Sequence, residues 1–128
     1  MILLTCDHPK REIFYLKKLQ QKLRKNNINC KIINKGLLVK AYNLYKPKII
    51  TIPHSLGNFL NPIDQLNKNV IFAMIPTESS IFNNKFIELF FCNKFNNTIL
   101  PSNHNKVDVF FTHSKFVSHI LEKKIIKK

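Results

Sequence analysis

Apolar residues along the chain fall into short unbroken runs that alternate with stretches of helical spacing. Residues 1–5 (MILLT) are apolar from the first position and predict a buried strand. Over residues 12–25 the spacing becomes helical. Ile13, Leu16, Leu19 and Leu23 share one face, Lys17, Lys18, Lys22 and Lys25 cover the rest, Pro9 stands where a helix can start, and Asn26-Asn27 end it. Residues 28–33 (INCKII) predict a second strand, turned by Asn34-Lys35-Gly36, and 37–45 a short helix closed by Pro47. Residues 48–52 (KIITI) predict a third strand stopped by Pro53. The segment 54–68 then carries a short helix near Ile63–Leu66, and 69–75 (NVIFAMI) a fourth strand stopped by Pro76. Helical spacing returns over 80–95 in Ile81, Phe82, Phe86, Leu89 and Phe90. A polar loop over 96–106, a fifth strand over 107–112 (VDVFFT) and a last helix over 114–124 follow.

This strand–helix alternation predicts an α/β fold: a three-layer, Rossmann-like domain of about five parallel strands with helices on both faces. It occupies residues 1–122 as one domain, and residues 123–128 form a basic tail. Ligands of open parallel sheets bind at the carboxyl ends of the strands, near the point where the strand order reverses. That rule nominates the loops Cys6–Glu12, His54-Ser55, Pro76–Ser80 and His113–Lys115, and three of the seven acids, Asp7, Glu12 and Glu78, fall within them. A carboxylate beside a cation at a helix entrance can orient a hydroxyl or remove its proton, and Arg11 can clamp an anionic group. The same residues also fit plain helix-end roles: Asp7 as a cap, Arg11 and Glu12 as solvated first-turn residues, and Glu78 as a complement to a helix dipole.

Composition narrows the chemistry further. There is no GxGxxG, GxxxxGK[ST] or GxSxG pattern, and two glycines in total leave no Gly-rich phosphate cradle. Cys6, Cys30 and Cys92 form no CxxC pair, and His54, His104, His113 and His119 lack ligand spacing, so no metal site is expected. The formal net charge is +14, but 19 of the 21 basic residues are lysines, Arg11 and Arg24 being the exceptions. Arginine supplies the bidentate fork that reads phosphates and guanine edges, so nucleic acid is an unlikely partner. Enrichment in Lys, Asn, Ile and Phe matches A/T-rich coding, with attraction to an anionic membrane as the leading functional alternative. No apolar run reaches transmembrane length, and the first residues lack the form of a secretion signal. The expectation is a cytoplasmic chain, with the inner membrane face as a peripheral location.

Four short stretches carry a family resemblance. They are Asp7-His8-Pro9-Lys10-Arg11-Glu12, Lys46-Pro47-Lys48-Ile49-Ile50, Ile75-Pro76-Thr77-Glu78-Ser79-Ser80-Ile81-Phe82, and Val107-Asp108-Val109-Phe110-Phe111-Thr112-His113-Ser114. The chain thereby resembles the amino-terminal part of bacterial surface carbohydrate biosynthesis proteins, which look like two-domain glycosyltransferases of the GT-B type. Lys48 and Pro76 replace acids of that pattern, and Ser79 and Ser80 replace glycines. The resemblance implies an acceptor-side domain in which Asp7 and Glu78 are the catalytic candidates. His8, Arg11, Glu12, His54, Thr77, Ser79, His113 and Ser114 are the candidates for binding substrate. It implies no cofactor in this domain; a nucleotide-sugar donor would be held by a carboxy-terminal domain or partner subunit. The chain ends where such a first domain ends, so a truncated form, or one that needs its donor-binding half, is expected. A glycolipid acceptor at the membrane is a further expected partner.

Overall fold

The computed structural model describes residues 1–53, 66, 69–75, 94–95, 98–99 and 107–111. The elements are β1 (Ile2–Cys6), α1 (Pro9–Lys25), β2 (Cys30–Asn34), α2 (Leu38–Tyr45), β3 (Ile49–Ile52), β4 (Ile71–Met74), β5 (Lys94–Phe95), β6 (Thr98–Ile99) and β7 (Val109–Phe110). The strands β2, β1, β3 and β4 lie side by side in that order, all parallel. The two-residue β7 pairs parallel with the free edge of β4 through Ala73↔Val109 and Met74↔Phe110. A parallel sheet with helices is the architecture of the α/β class.

Successive residues of β1 point to opposite faces, and the core divides accordingly. Leu4 and Cys6 pack with Leu16 of α1 and with Cys30 on one face. Leu3 packs with Leu38 and Ala41 of α2, with Ile50 and Ile52 of β3, and with Leu66, Val70 and Val107 on the other. Leu3, Leu4, Cys30, Ile50 and Met74 are fully enclosed. Burial on both sides explains why these strands read as continuous apolar runs rather than alternating ones.

The local ends have identifiable causes. Helix α1 starts at Pro9, three residues before the helical spacing begins, with His8 as an extended N-cap that forms no side-chain cap bond. It ends in a Schellman motif: the N–H of Asn27, at φ 59°, donates to the carbonyl of Arg24, and the N–H of Ile28 donates to that of Leu23. Lys46 ends α2 at φ 43°, just before Pro47.

Two expectations change. Residues 80–95 read as helix and 96–106 as loop, yet Lys94–Phe95 pairs antiparallel with Thr98–Ile99. Extended backbone at these four positions satisfies its hydrogen bonds across the pair instead of along a helix. The fifth strand is shorter than 107–112, because Asp108 is not in the ladder. Its N–H donates to the carbonyl of Phe72, and its carboxylate accepts the N–H of Phe72 at 2.8 Å. The short helix near Ile63–Leu66 and the last helix over 114–124 lie outside the described residues.

Candidate functional site

β1 lies between β2 and β3, so the chain runs from β1 to one neighbour and returns over it to the other. The order therefore reverses beside the carboxyl end of β1, where ligands of such sheets bind. Asp7 is the first residue beyond that end. Its side chain is only 5% exposed, although no apolar cluster includes it.

Register explains what Asp7 meets. Cys6 stands opposite Asn34 in the parallel ladder, so residue 7 emerges beside residue 35. The ammonium of Lys35 pairs with Oδ1 of Asp7, and Nε2 of His8 stands 3.6 Å from Oδ2. Lys35 is held by a small turn: Oδ1 of Asn34 accepts the N–H of Gly36 at 2.9 Å, starting the single 3-10 turn Lys35–Leu37.

Glu12 lies beneath this pair and is 1% exposed. Its Oε2 accepts the N–H of Asp7 at 2.7 Å and that of His8 at 3.2 Å. It does from inside the helix what an N-cap side chain does from outside, and it places a negative charge at the positive end of α1. The carboxylate thus fixes the backbone that carries Asp7 and His8, and Glu12 is neither a solvated first-turn residue nor placed at the rim. Asp7 is likewise not the helix cap. Arg11 is exposed on the first turn of α1.

The carboxylates alter their neighbours. Burial, then the charge of Glu12 and its hydrogen bond, with a smaller contribution from Asp7, push the Cys6 thiol up to about 11. It is protonated at neutral pH and inert as a nucleophile, as expected of a small buried hydrophobe. Burial and then Glu12 push the Tyr15 phenol up to about 12. Cys6 and Cys30 are both free thiols.

The structure thus brings together Asp7, His8 and Glu12 of the expected set and adds Lys35, which sequence reasoning missed. Its only signal was the alignment of two strand ends, which the sequence does not print. Glu78, His54, Thr77, Ser79, His113 and Ser114 lie outside the described residues. Among the described residues, no group of three or more His, Cys, Asp or Glu side chains could hold a metal ion. Among them also, no helix is long and apolar enough to cross a membrane. Compared with family models, curated proteins and solved structures, the chain matches none of them.

Proposed function

We propose that the chain is the acceptor-side domain of a glycosyltransferase of surface polysaccharide synthesis, a three-layer Rossmann-like unit of five parallel strands. It works with a donor-binding domain or subunit that holds the nucleotide-sugar. The observation that carries this reading is the Asp7 carboxylate, fixed at the reversal point of the strand order by Lys35 and by the Glu12 clamp on its own backbone. Asp7 accepts a hydrogen bond from the acceptor hydroxyl, and Arg11 at the rim attracts an anionic group of the same acceptor. In the transfer step the hydroxyl oxygen bonds to the anomeric carbon and its proton passes to Asp7 or Glu78. The nucleoside diphosphate leaves with the electrons of the broken bond. Both substrates must be held in near-attack geometry, which is why a donor-binding half is required.

The test is titration of the chain with a short glycerol phosphate oligomer, followed by NMR. Saturable shifts at Asp7, His8 and Arg11 are expected, with binding weakened at least tenfold in Asp7→Asn and in Arg11→Ala. Absence of saturable binding at millimolar oligomer overturns the reading. So does full transferase activity of Asp7→Ala and Glu78→Ala in complex with a donor-binding partner.

A second reading has its own observation. The outer side of α1 exposes Lys10, Arg11, Lys17, Lys18, Lys22, Arg24 and Lys25 around Phe14, which is 68% exposed with the ammonium of Lys18 4.4 Å from its ring centre. A bulky apolar side chain ringed by lysines suits a non-catalytic module on an anionic membrane surface, at roughly 1 kcal/mol per well-placed lysine. Co-sedimentation with phosphatidylglycerol vesicles, reduced by Phe14→Ala and absent with neutral vesicles, is the expected result. Binding that ignores lipid charge sinks this reading.

A further inference from the structure

On the α1 side of the sheet, β3, β4 and β7 form the floor of an apolar trough of about 620 Å³, walled by Tyr15, Leu19 and Leu23 of α1. On that floor Ile71 is 46% exposed, Val109 40% and Phe111 53%, although strands of a parallel sheet are normally enclosed on both faces. The two polar side chains of the lining are turned to the protein. Oγ1 of Thr51 accepts the N–H of Thr5 at 3.3 Å, and the phenol oxygen of Tyr15 is enclosed. Among the described residues, no charged side chain lines the trough. A sugar or an extended peptide placed here would give up hydrogen bonds to water and regain none, so the part of a ligand that fits is hydrocarbon.

The charge stands at the rim. Gln20 marks the side of α1 nearest β2, because its side-chain amide donates to the carbonyl of Cys30 at 3.2 Å. Counted from Gln20 at 3.6 residues per turn, Leu23, Leu19 and Tyr15 lie about 60°, 100° and 140° round the helix, on the trough side. Lys22 and Lys18 follow at about 160° and 200°, and both are exposed. They sit one turn apart beyond Tyr15, where the wall meets water. Lysine stems lie readily along apolar surface with the ammonium at the water's edge. An apolar trough with two cations on its rim is complementary to a molecule with a hydrocarbon body and an anionic end.

We propose that the trough binds a single medium-length acyl chain of an anionic amphiphile, the chain lying along β4 and the head group meeting Lys18 and Lys22. The dimensions set the chain length. From Ile71 to Ile75 the floor runs about 13 Å. The volume of about 620 Å³ holds roughly twenty non-hydrogen atoms, at the ~30 Å³ that a water takes in the liquid. Dodecyl phosphate is a molecule of that size. A free amphiphile and a lipid drawn from a bilayer share this chemistry. The assignment uses none of Asp7, Glu12 and Lys35, so it stands apart from the acceptor reading of that site. It differs from surface docking through Phe14, because here the hydrocarbon enters the protein.

The test is methyl NMR of the intact chain titrated with dodecyl phosphate below its micelle concentration. Saturable shifts are expected at Ile71, Ile75 and Val109, while Leu38 and Ile50, on the other face, stay unmoved. Dodecyl maltoside, with the same chain and a neutral head, should bind at least tenfold more weakly, and Lys18→Glu combined with Lys22→Glu should remove that preference. Ile71→Glu should weaken dodecyl phosphate at least tenfold; should it fail to fold, Phe111→Ser, at another exposed floor position, reads the same contact. Bicelles containing phosphatidylglycerol form the second arm. Shifts at the same methyl groups there assign the chain to a bilayer lipid, and shifts with dodecyl phosphate alone assign it to a free amphiphile. Absence of saturable shifts below the micelle concentration overturns the proposal, as does equal binding of the two head groups. Shifts that follow protein concentration without amphiphile place a second copy in the trough and overturn it equally.

Discussion

Replacing Glu12 tests whether this buried carboxylate organises the site. In Glu12→Ala the N–H groups of Asp7 and His8 lose their acceptor, and the start of α1 loses a negative charge. A hydrogen bond to a charged group contributes about 1.5–3 kcal/mol, and a carboxylate at a helix N-terminus about 0.3–1 kcal/mol, more when enclosed. The two bonds share one oxygen, so they do not add fully. The expected destabilisation is about 3 kcal/mol for Glu12→Ala and about 1 kcal/mol for Glu12→Gln, which keeps an acceptor oxygen. With a urea m-value near 1.5 kcal/mol/M, the alanine variant moves the midpoint down by about 2 M.

A second readout separates electrostatics from packing. In Glu12→Gln the Cys6 thiol, followed by NMR of labelled cysteine, should titrate below its native value of about 11 yet above the ordinary 9.0. Burial, the larger cause, persists, while the Glu12 charge is gone. A change of less than 0.5 kcal/mol in Glu12→Ala, or a Cys6 titration unmoved in Glu12→Gln, refutes the reasoning.

Stability should fall above pH 9. The unfolded thiol of Cys6 ionises near 9.0 and the folded one near 11, so the stabilisation is complete below 9 and is lost as pH rises towards 11. Tyr15 adds the same sign between 10 and about 12. Urea midpoints taken from pH 8 to 11 should lose the equivalent of roughly 2–4 kcal/mol, less in Cys6→Ser. Asp108→Ala removes the carboxylate that accepts the N–H of Phe72, and should cost about 1–2 kcal/mol and speed exchange of that amide at least tenfold. Lys46→Gly relieves the φ of 43° after α2, and a gain of about 0.5–1 kcal/mol in thermal or urea unfolding is expected.

The strands were legible because burial on both faces leaves an apolar run that helical spacing does not produce, as in MILLT and KIITI. Their order was not, since nothing in a single sequence says that β3 adds to β1 rather than to β2. Apolar spacing marks α1 only from residue 12, whereas the helix starts at Pro9, the position where the sequence allows a start, and the acceptor that fixes the preceding backbone is Glu12 inside the helix. The β5–β6 pair was hidden by aromatic residues that fit helical spacing equally well. The Asn96-Asn97 dipeptide between its strands and the β-branched Thr98 and Ile99 were the local signals for a hairpin. At the site, proximity to a strand end found Asp7 and His8 because it is a property of one segment. Lys35 belongs to another segment, and only the register Cys6↔Asn34 brings it alongside.

Two kinds of charge in this chain carry different information. A lysine on the outer side of α1 loses little by being there, because its ammonium remains in water. Drift in composition can add such residues freely, and five of the nineteen lysines lie on that helix, so the +14 taken alone does not point to a ligand. A carboxylate under a helix start or between strand ends is constrained, since an enclosed charge without partners costs several kcal/mol. Composition drift does not produce Glu12 held against two backbone N–H groups, or Asp7 seated against the ammonium of Lys35. Each requires a matching partner placed by a different stretch of chain. The enclosed acids therefore mark where the fold spends stability on fixing charge, and that place is the reversal point of the strand order, where a ligand of this sheet would dock.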